Sequence, residues 1–401
     1  MITRSSPARY REPATVALDG CCFVGSRTGI ANYVSALLEP LCAQHPEVRF
    51  LLYSNDPGDF CKAPNLEVRV SSPRRRGPIW HNTQVVDMLR EDAVDLFWGT
   101  NGLIPLRGLG RTATVVTIHD LVHAFAPQTQ ELGKRWKQRV FQPLCTRAAD
   151  RVIAVSQATA DDVARHYGRV PESIVHPLVS GRLGSDDAAA VDDALQRLRL
   201  PERFILTVGT LEPRKNIAAL VAAHVACRAA GHDLPPLVVV GGQGWRDGNV
   251  RRALDDTAAP GRVHCLGFLP NRELRHLSAR CHAFVMPSIY EGFGMPLLEA
   301  QLCGAPVLHG NHRSMTEAAG GLGVAFEPSA DGLFDMLTRL AEHRAPLVCR
   351  LPADIENDAE RSARRLWQVM VDAWQARQVG VARVPRRHVV PRPADVGRVP
   401  H

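Results

Sequence analysis

The sequence predicts an α/β fold of two doubly wound domains, each a parallel sheet covered by helices on both faces, meeting at a central cleft. Three observations carry this expectation. Short apolar runs alternate with amphipathic helical stretches through most of the 401 residues, as buried parallel strands and their crossovers require. The alternation breaks at the polar stretch VSGRLGSDDAAAVDDALQRLRLPE and restarts near Phe204. The length is ample for two cores of ordinary size.

In order along the first half, the strands are expected at TVALD, VRFLLYS, EVRVS, VDLFWG, TATVVTIHD and RVIAVS, each a short apolar run. In the second half they are expected at FILTVG, PLVVVGG, VHCLGF, HAFVMPS, APVLHG and GVAFEP. Helical periodicity fills the gaps at 29–42, 132–148, 158–167, 217–230, 272–280 and 329–343. One further helix is expected within PLLEAQLCG, with Pro296 in its first turn and Gly304 closing it. The resulting division is 1–180 for the first domain, 181–358 for the second and 359–375 for a final helix crossing back onto the first. A basic tail, 376–401, has no packing pattern and is expected to be disordered.

Composition narrows the function. The chain is 45% hydrophobic and 22% charged, a globular balance, and no apolar run approaches the roughly 20 residues needed to span a bilayer. MITRSSPARYREPATVALDG lacks the apolar core of a signal peptide, so a cytoplasmic site is expected, with peripheral contact at the membrane face as an open alternative. The tail places six arginines against Asp395 and so supplies +5 of the net +7. The nearly neutral remainder argues against a nucleic-acid partner. The ten cysteines show no C-x-x-C or zinc spacing and read as buried thiols. There is no D-x-D, no H-E-x-x-H and no G-x-S-x-G, so neither a metal site nor a nucleophile elbow is expected. Lys215 is the sole lysine of the second half, which disfavours a lysine-bound pyridoxal cofactor.

Four stretches stand out at expected strand ends. SIYEGFGMPLLEAQLCGAPVL sets Glu291 on a glycine loop and Glu299 on the helix that follows. Free amides at that helix start suit an anion or sugar hydroxyls; the alternative is a loop glutamate plus a first-turn glutamate favouring the helix dipole. VGTLEPRKN places Arg214 and Lys215 at a strand-to-helix junction with Asn216 as cap, a basic pair suited to a diphosphate or a solvated turn. VVTIHDLVH puts His119 and Asp120 at the end of a buried strand, where the histidine either meets substrate or bonds to Asp120. VGSRTGIANYVSALL sets Gly29 at a helix start, for close approach to a ligand or for a plain turn.

Together these stretches resemble the retaining glycosyltransferases of the GT-B fold, with two Rossmann-like domains, and specifically glycosyltransferase family 4. EGFGMPLLE resembles the family's E-x7-E motif, and GTLEPRKN its donor-diphosphate segment. TIHDL, SRTGIANYVSALL, AVSQATADDVARHYG, GGQGW and RSMTEAAGG fit as well, so the likeness covers most of 14–375. It implies transfer of a hexose from a nucleotide sugar to a hydroxyl of a glycan or lipid-linked saccharide, with no cofactor and no metal. Arg214 and Lys215 would neutralise the leaving diphosphate. Glu299 would hold the ribose, while Glu291 and the amides of Phe293, Gly294 and Met295 would hold the sugar. Gly29 and Gly209 would lie on the donor side, with His119 against the sugar. Asp120, Arg74, Arg75 and Arg76 would lie on the acceptor side, the three arginines facing a lipid diphosphate or simply solvent. The likeness is greatest to bacterial mannosyl- and rhamnosyltransferases of surface-polysaccharide and lipopolysaccharide assembly. GDP-mannose is therefore the first donor expected and a UDP-hexose the second. An epimerase acting on the sugar nucleotide alone, or a non-catalytic sugar-nucleotide-binding protein, are the alternatives. HPLVSG before the linker and ADIENDAERSA before the last helix depart from the family pattern, which leaves the hinge geometry open.

Overall fold

The computed structural model describes residues 12–25, 29–71, 76–179, 188–242, 263–344 and 358–380. Arg74, Arg75, the GGQGW stretch beyond Gly242, residues 180–187 of the expected linker and the tail from 381 lie outside them.

The first sheet has seven parallel strands: β1 (Thr15–Asp19), β2 (Arg49–Ser54), β3 (Leu66–Val70), β4 (Leu96–Gly99), β5 (Ala113–Ile118), β6 (Arg151–Ala154) and β7 (Ser173–Ile174). Their order is β3-β2-β1-β4-β5-β6-β7. The second has six: β8 (Ile205–Val208), β9 (Leu237–Val240), β10 (Val263–Cys265), β11 (Ala283–Met286), β12 (Val307–Gly310) and β13 (Val324–Phe326), ordered β10-β9-β8-β11-β12-β13. Central strands such as β5 (ATVVTI) and β9 (LVVV) are buried at every position, which is why they read as continuous apolar runs rather than alternating ones. In both sheets the order reverses beside the first strand, where ligands bind such folds at the carboxyl ends of the strands.

Helices α1 (Gly29–Gln44), α2 (Gly77–His81), α3 (Gln84–Glu91), α4 (Val122–Phe125), α5 (Leu132–Ala148) and α6 (Gln157–Tyr167) belong to the first domain. Helices α7 (Ala188–Arg197), α8 (Ile217–Ala229), α9 (Asn271–Arg280), α10 (Met295–Leu302), α11 (Arg313–Ala318) and α12 (Ala330–Ala341) follow. The last helix, α13 (Ala359–Gln378), packs on α1 and β5 of the first domain. Its buried stripe is Ala363, Leu366, Met370 and Ala373, three or four residues apart as one helical face demands. Trp367 stacks on His45 with ring centroids 4.0 Å apart. Burying Leu366 and Met370 contributes about 1.5–3 kcal/mol each, enough to hold a helix that joins no sheet. The helix runs past the expected boundary at 375. Arg377 is still helical and donates to the Gly110 carbonyl at 3.1 Å, so the basic tail starts later than the sequence suggested.

Two sequence expectations need correction. Asn216 adopts a left-handed backbone (φ 56°) and does not cap α8 with its side chain; its Nδ2 donates instead to the Pro328 carbonyl at 2.8 Å. Glu299 is the fifth residue of α10, whose first turn holds no acid, so the helix-dipole alternative for that glutamate loses its basis.

Candidate active site

Four loops at the carboxyl ends of strands converge between the sheets. After β8 the chain turns at Gly209, whose amide donates to the Val240 carbonyl at 2.9 Å, and enters a 3-10 turn at Pro213–Lys215. After β11 comes the loop carrying Glu291. Arg214 Nη1 donates to Glu291 Oε2 at 2.5 Å and to the Tyr290 carbonyl at 2.9 Å. Lys215 Nζ donates to Glu291 Oε1 at 2.6 Å. Both carboxylate oxygens are therefore held by cations, and Arg214 also reaches Glu212 at 2.6 Å.

Glu291 is buried, 7% exposed, and its partners Arg214, Lys215 and Glu212 are half-buried around it. Burial alone would raise the Glu291 carboxyl, but Arg214 and Lys215 outweigh it and bring its pKa down to about 2. Burial likewise disfavours charge on Arg214, yet Glu291 and Glu212 hold it above the usual guanidinium range. Glu291 and Arg214 are therefore both ionised at physiological pH. Ser314 Oγ donates to the Glu291 carbonyl at 2.7 Å and fixes the loop from α11.

Glycine is required at two places in this loop. A Cβ on Gly292 would lie 1.8 Å from the His119 carbonyl oxygen of the first domain, so no other residue fits without moving one domain. Gly294 has φ 112°, a conformation that side chains rarely adopt. It turns the chain into α10, in whose first turn Pro296 has no N–H and the Leu297 amide donates to the Gly294 carbonyl at 2.9 Å; the amides of Phe293, Gly294 and Met295 come just before them.

Glu299 lines an adjoining pocket with Asn271, Arg275, Ser278, Met295 and Cys303. Burial raises its pKa, against the opposing pull of Arg275 and Lys215. The first domain adds Asn32 and Leu178 to the pocket. Gly29, the first residue of α1, faces Met295: a Cβ built there would lie 3.8 Å from the Met295 sulfur.

His119 follows β5, with its Nε2 2.7 Å from the Thr100 carbonyl. Only a protonated nitrogen can bond a carbonyl, so Nε2 carries the proton. The ring is not bonded to Asp120, as one sequence reading had it; Asp120 Oδ1 accepts from the Val122 amide at 3.2 Å. Burial holds the imidazole below its ordinary pKa. A neutral ring with its proton on Thr100 offers a lone pair on Nδ1, an acceptor for a hydroxyl rather than a donor. Thr100 Oγ1 in turn donates to the Asp19 carbonyl at 2.6 Å.

The structure thus brings Arg214, Lys215 and Glu291 into direct contact. Around them it sets Gly209, Phe293, Gly294, Met295 and Glu299 from one side, and Gly29, His119 and Asp120 from the other. Arg76 is not part of this group; it is exposed and lies 3.5 Å from Asp56. Sequence reading missed Tyr290, Ser156, Thr159, Arg275 and Glu317. Only Ser156 carried a usable signal, as a serine just before a helical pattern: its Oγ accepts from the Thr159 amide at 2.9 Å.

Two families match the chain in succession. The one described as Glycosyltransferase Family 4 matches residues 27–179, and Glycosyl transferases group 1 matches residues 192–359. O-antigen chain mannosyltransferase B of Escherichia coli is 30% identical over 247 residues, 60% of this chain and 63% of that protein. The serotype-specific mannosyltransferase WbdA of Escherichia coli is 30% identical over 225 residues, 54% of this chain but 27% of that much longer protein. The chain therefore spans less than two thirds of these relatives. Among solved structures, WaaG, a glycosyltransferase involved in lipopolysaccharide biosynthesis, aligns with a TM-score of 0.65 at 17% identity, covering 92% of this chain and all of that one. HepE of Anabaena, solved with UDP and glucose, aligns with a TM-score of 0.62 at 18% identity, over 91% of this chain and 99% of that one.

Proposed function

The chain belongs to the group 1, family 4 glycosyltransferases of the GT-B fold, and from that premise we propose that it transfers a hexose, mannose first among them, from a nucleoside-diphosphate sugar to a hydroxyl of a glycan or lipid-linked acceptor in polysaccharide assembly. The observation that carries this reading is the Glu291 carboxylate clasped by Arg214 and Lys215 on the loop that leads into α10, the helix that carries Glu299. A nucleoside fits the pocket with its ribose on Glu299. Its diphosphate then lies toward the two cations.

Bond breaking moves an electron pair from the sugar C1 onto the diphosphate oxygen. Arg214, Lys215 and the amides at the start of α10 stabilise that charge in a site shielded from water. The sugar becomes positive as the bond stretches, and Glu291 is the nearest ionised carboxylate. We favour a front-face route with retained configuration: the acceptor oxygen attacks C1 on the side the diphosphate leaves, and its proton passes to the departing phosphate oxygen. No metal is needed in this scheme because two fixed cations already face the diphosphate. The Nδ1 lone pair of His119 is suited to accept from a sugar hydroxyl.

The acceptor side carries a second observation. Helix α5 exposes Leu132 (74%) and Trp136 (64%) one turn apart, with Arg135 and Arg139 three residues after each on the same side. Gln142 of the same helix donates to the Asp120 carbonyl at 3.2 Å, so this face is tied to the site. An apolar stripe edged by cations fits an anionic lipid surface, which supports an acceptor presented at a membrane. Among the described residues no helix is long and apolar enough to cross one.

The GDP-sugar reading predicts that GDP raises the melting temperature more than UDP, ADP or dTDP, followed by glycosylation of a lipid-linked acceptor. An epimerase would instead convert the sugar nucleotide without acceptor. A binding protein would show the thermal shift and neither reaction.

A further inference from the structure

Tyr290 and Glu291 are neighbours in the loop after β11, yet only the Tyr290 side chain, whose ring also lies 4.6 Å from that of His312 in the second domain, reaches the first. Glu291 is held within the second domain by Arg214, Lys215 and Ser314. The Tyr290 side chain crosses into the first. Its hydroxyl donates to Asp162 Oδ2 on α6 at 3.0 Å and accepts from the Leu121 amide at 3.2 Å. Its ring stacks on Phe125, with centroids 5.7 Å apart and planes 8° from parallel, and packs with Val122 and Ala126. The residue is 3% exposed. On the other side of Glu291, the Gly292 carbonyl accepts from Ser156 Oγ at 2.6 Å and Thr159 Oγ1 at 3.0 Å. The peptide that carries Glu291 is thus seated in the first domain at both flanks.

We propose that Tyr290 is a positioning residue that couples the placement of Glu291 to closure of the two domains, a role that rests on the transfer reading above. When the domains part, the aromatic ring leaves its apolar seat and Asp162 loses its hydroxyl donor. The loop then has only its second-domain contacts, and Glu291 and the Tyr290 carbonyl that binds Arg214 are free to shift together. Catalytic geometry is complete only when the ring is seated, so the first domain with its acceptor gates the site. The charged groups of the nucleoside pocket, Arg275 and Glu299, come from the second domain and do not depend on the seat.

This separation gives the test. In Tyr290→Ala, kcat should fall about 10²-fold, the cost of a misplacement of about 1 Å, while the Kd for the nucleoside diphosphate stays as in the wild type. Tyr290→Phe keeps the ring and loses both hydroxyl bonds, to Asp162 and from the Leu121 amide, so it should recover to within about tenfold of wild-type kcat. Small-angle X-ray scattering should show the nucleotide-bound wild type more compact than nucleotide-bound Tyr290→Ala. A kcat unchanged in Tyr290→Ala, or a Kd that rises in step with the loss of kcat, overturns the proposal. Should the alanine variant fail to fold, Tyr290→Phe and Asp162→Asn decide: a lowered kcat with unchanged nucleotide affinity supports the coupling, and wild-type kcat in both overturns it. A wild-type protein with no transferase activity sinks the transfer reading instead. The scattering comparison then still reports whether Tyr290 controls closure.

Discussion

Glu317 of α11 lies 3.0 Å from His176, Oε1 to Nε2, across the boundary between the domains. The same carboxylate accepts from the amides of Gln157 at 2.7 Å and Ala158 at 3.1 Å. One domain thereby supplies the acid that caps a helix of the other, at the turn next to Ser156 and its bond to the Gly292 loop. His176 sits in the HPLVSG stretch, where the sequence departs from the family pattern. The structure gives this departure a use: a histidine placed to meet Glu317.

The contact predicts a pH-dependent stability. Burial pushes the Glu317 carboxyl up, but His176 and the two amides together bring it below its ordinary value of 4.5. A carboxylate depressed on folding stabilises above its unfolded pKa, and the contribution is lost as pH falls through the folded one. Replacing a capping acid costs about 0.5–2 kcal/mol, which in domains of this size is a fall of roughly 1–8 °C. Glu317→Ala should melt that much lower at pH 7, and the gap to wild type should close as pH drops below 4.5. A gap unchanged by acid would assign the loss to packing.

The interdomain contacts also mark where the sequence stops being legible. Strands such as ATVVTI and LVVV announce themselves because both faces are buried. β7 was missed because two residues, Ser173 and Ile174, carry no pattern; α2, α3 and α11 are too short or too polar to show periodicity. The places of Arg214, Lys215 and Glu291 after strands, and of Glu299 on the helix that follows, were legible; the contact of Glu291 with both cations was not. The partners of His119, Asn216 and Tyr290 were not. They are a backbone carbonyl (Thr100), another (Pro328) and a carboxylate 128 residues away (Asp162), set by tertiary approach rather than by neighbours in the chain.

Turnover is predicted to survive chelation. In the proposed scheme Arg214 and Lys215 supply the positive charge a metal would otherwise bring. Among the described residues the one group with metal-ligand geometry, Glu12, His45 and Glu47, lies beyond the far end of α1 from Gly29, about 24 Å away by helix rise. Activity lost in EDTA and restored by magnesium would refute this.

Helix α5 is predicted to bind anionic lipid. Wild-type protein should co-sediment with vesicles containing phosphatidylglycerol and be released by high salt, since exposed charges are screened within about 10 Å at 0.1 M. Trp136→Ala combined with Arg135→Glu and Arg139→Glu should abolish sedimentation and leave transfer to a water-soluble acceptor intact. Loss of both would place these residues in the fold instead.

The two glutamates should fail in opposite ways. Glu299→Gln removes a charged partner for the ribose, which is alike in ground and transition states. It should raise the donor KM by the equivalent of about 1.5–3 kcal/mol with a smaller change in kcat. Glu291→Gln removes the carboxylate nearest the developing positive charge, so kcat should fall about 10²-fold or more. The ion cluster adds a second consequence. Without the Glu291 charge, Arg214 and Lys215 remain buried with their main counter-ion gone, which for broken buried pairs costs about 3–5 kcal/mol. The empty variant should therefore melt lower than wild type. A nucleoside diphosphate supplies the missing negative charge, so it should raise the melting temperature of Glu291→Gln by more than that of wild type and bind at least as tightly. Melting curves with and without nucleotide, read beside turnover, separate the outcomes. Weaker nucleotide binding in Glu291→Gln, with binding intact in Glu299→Gln, would exchange the roles of the two carboxylates.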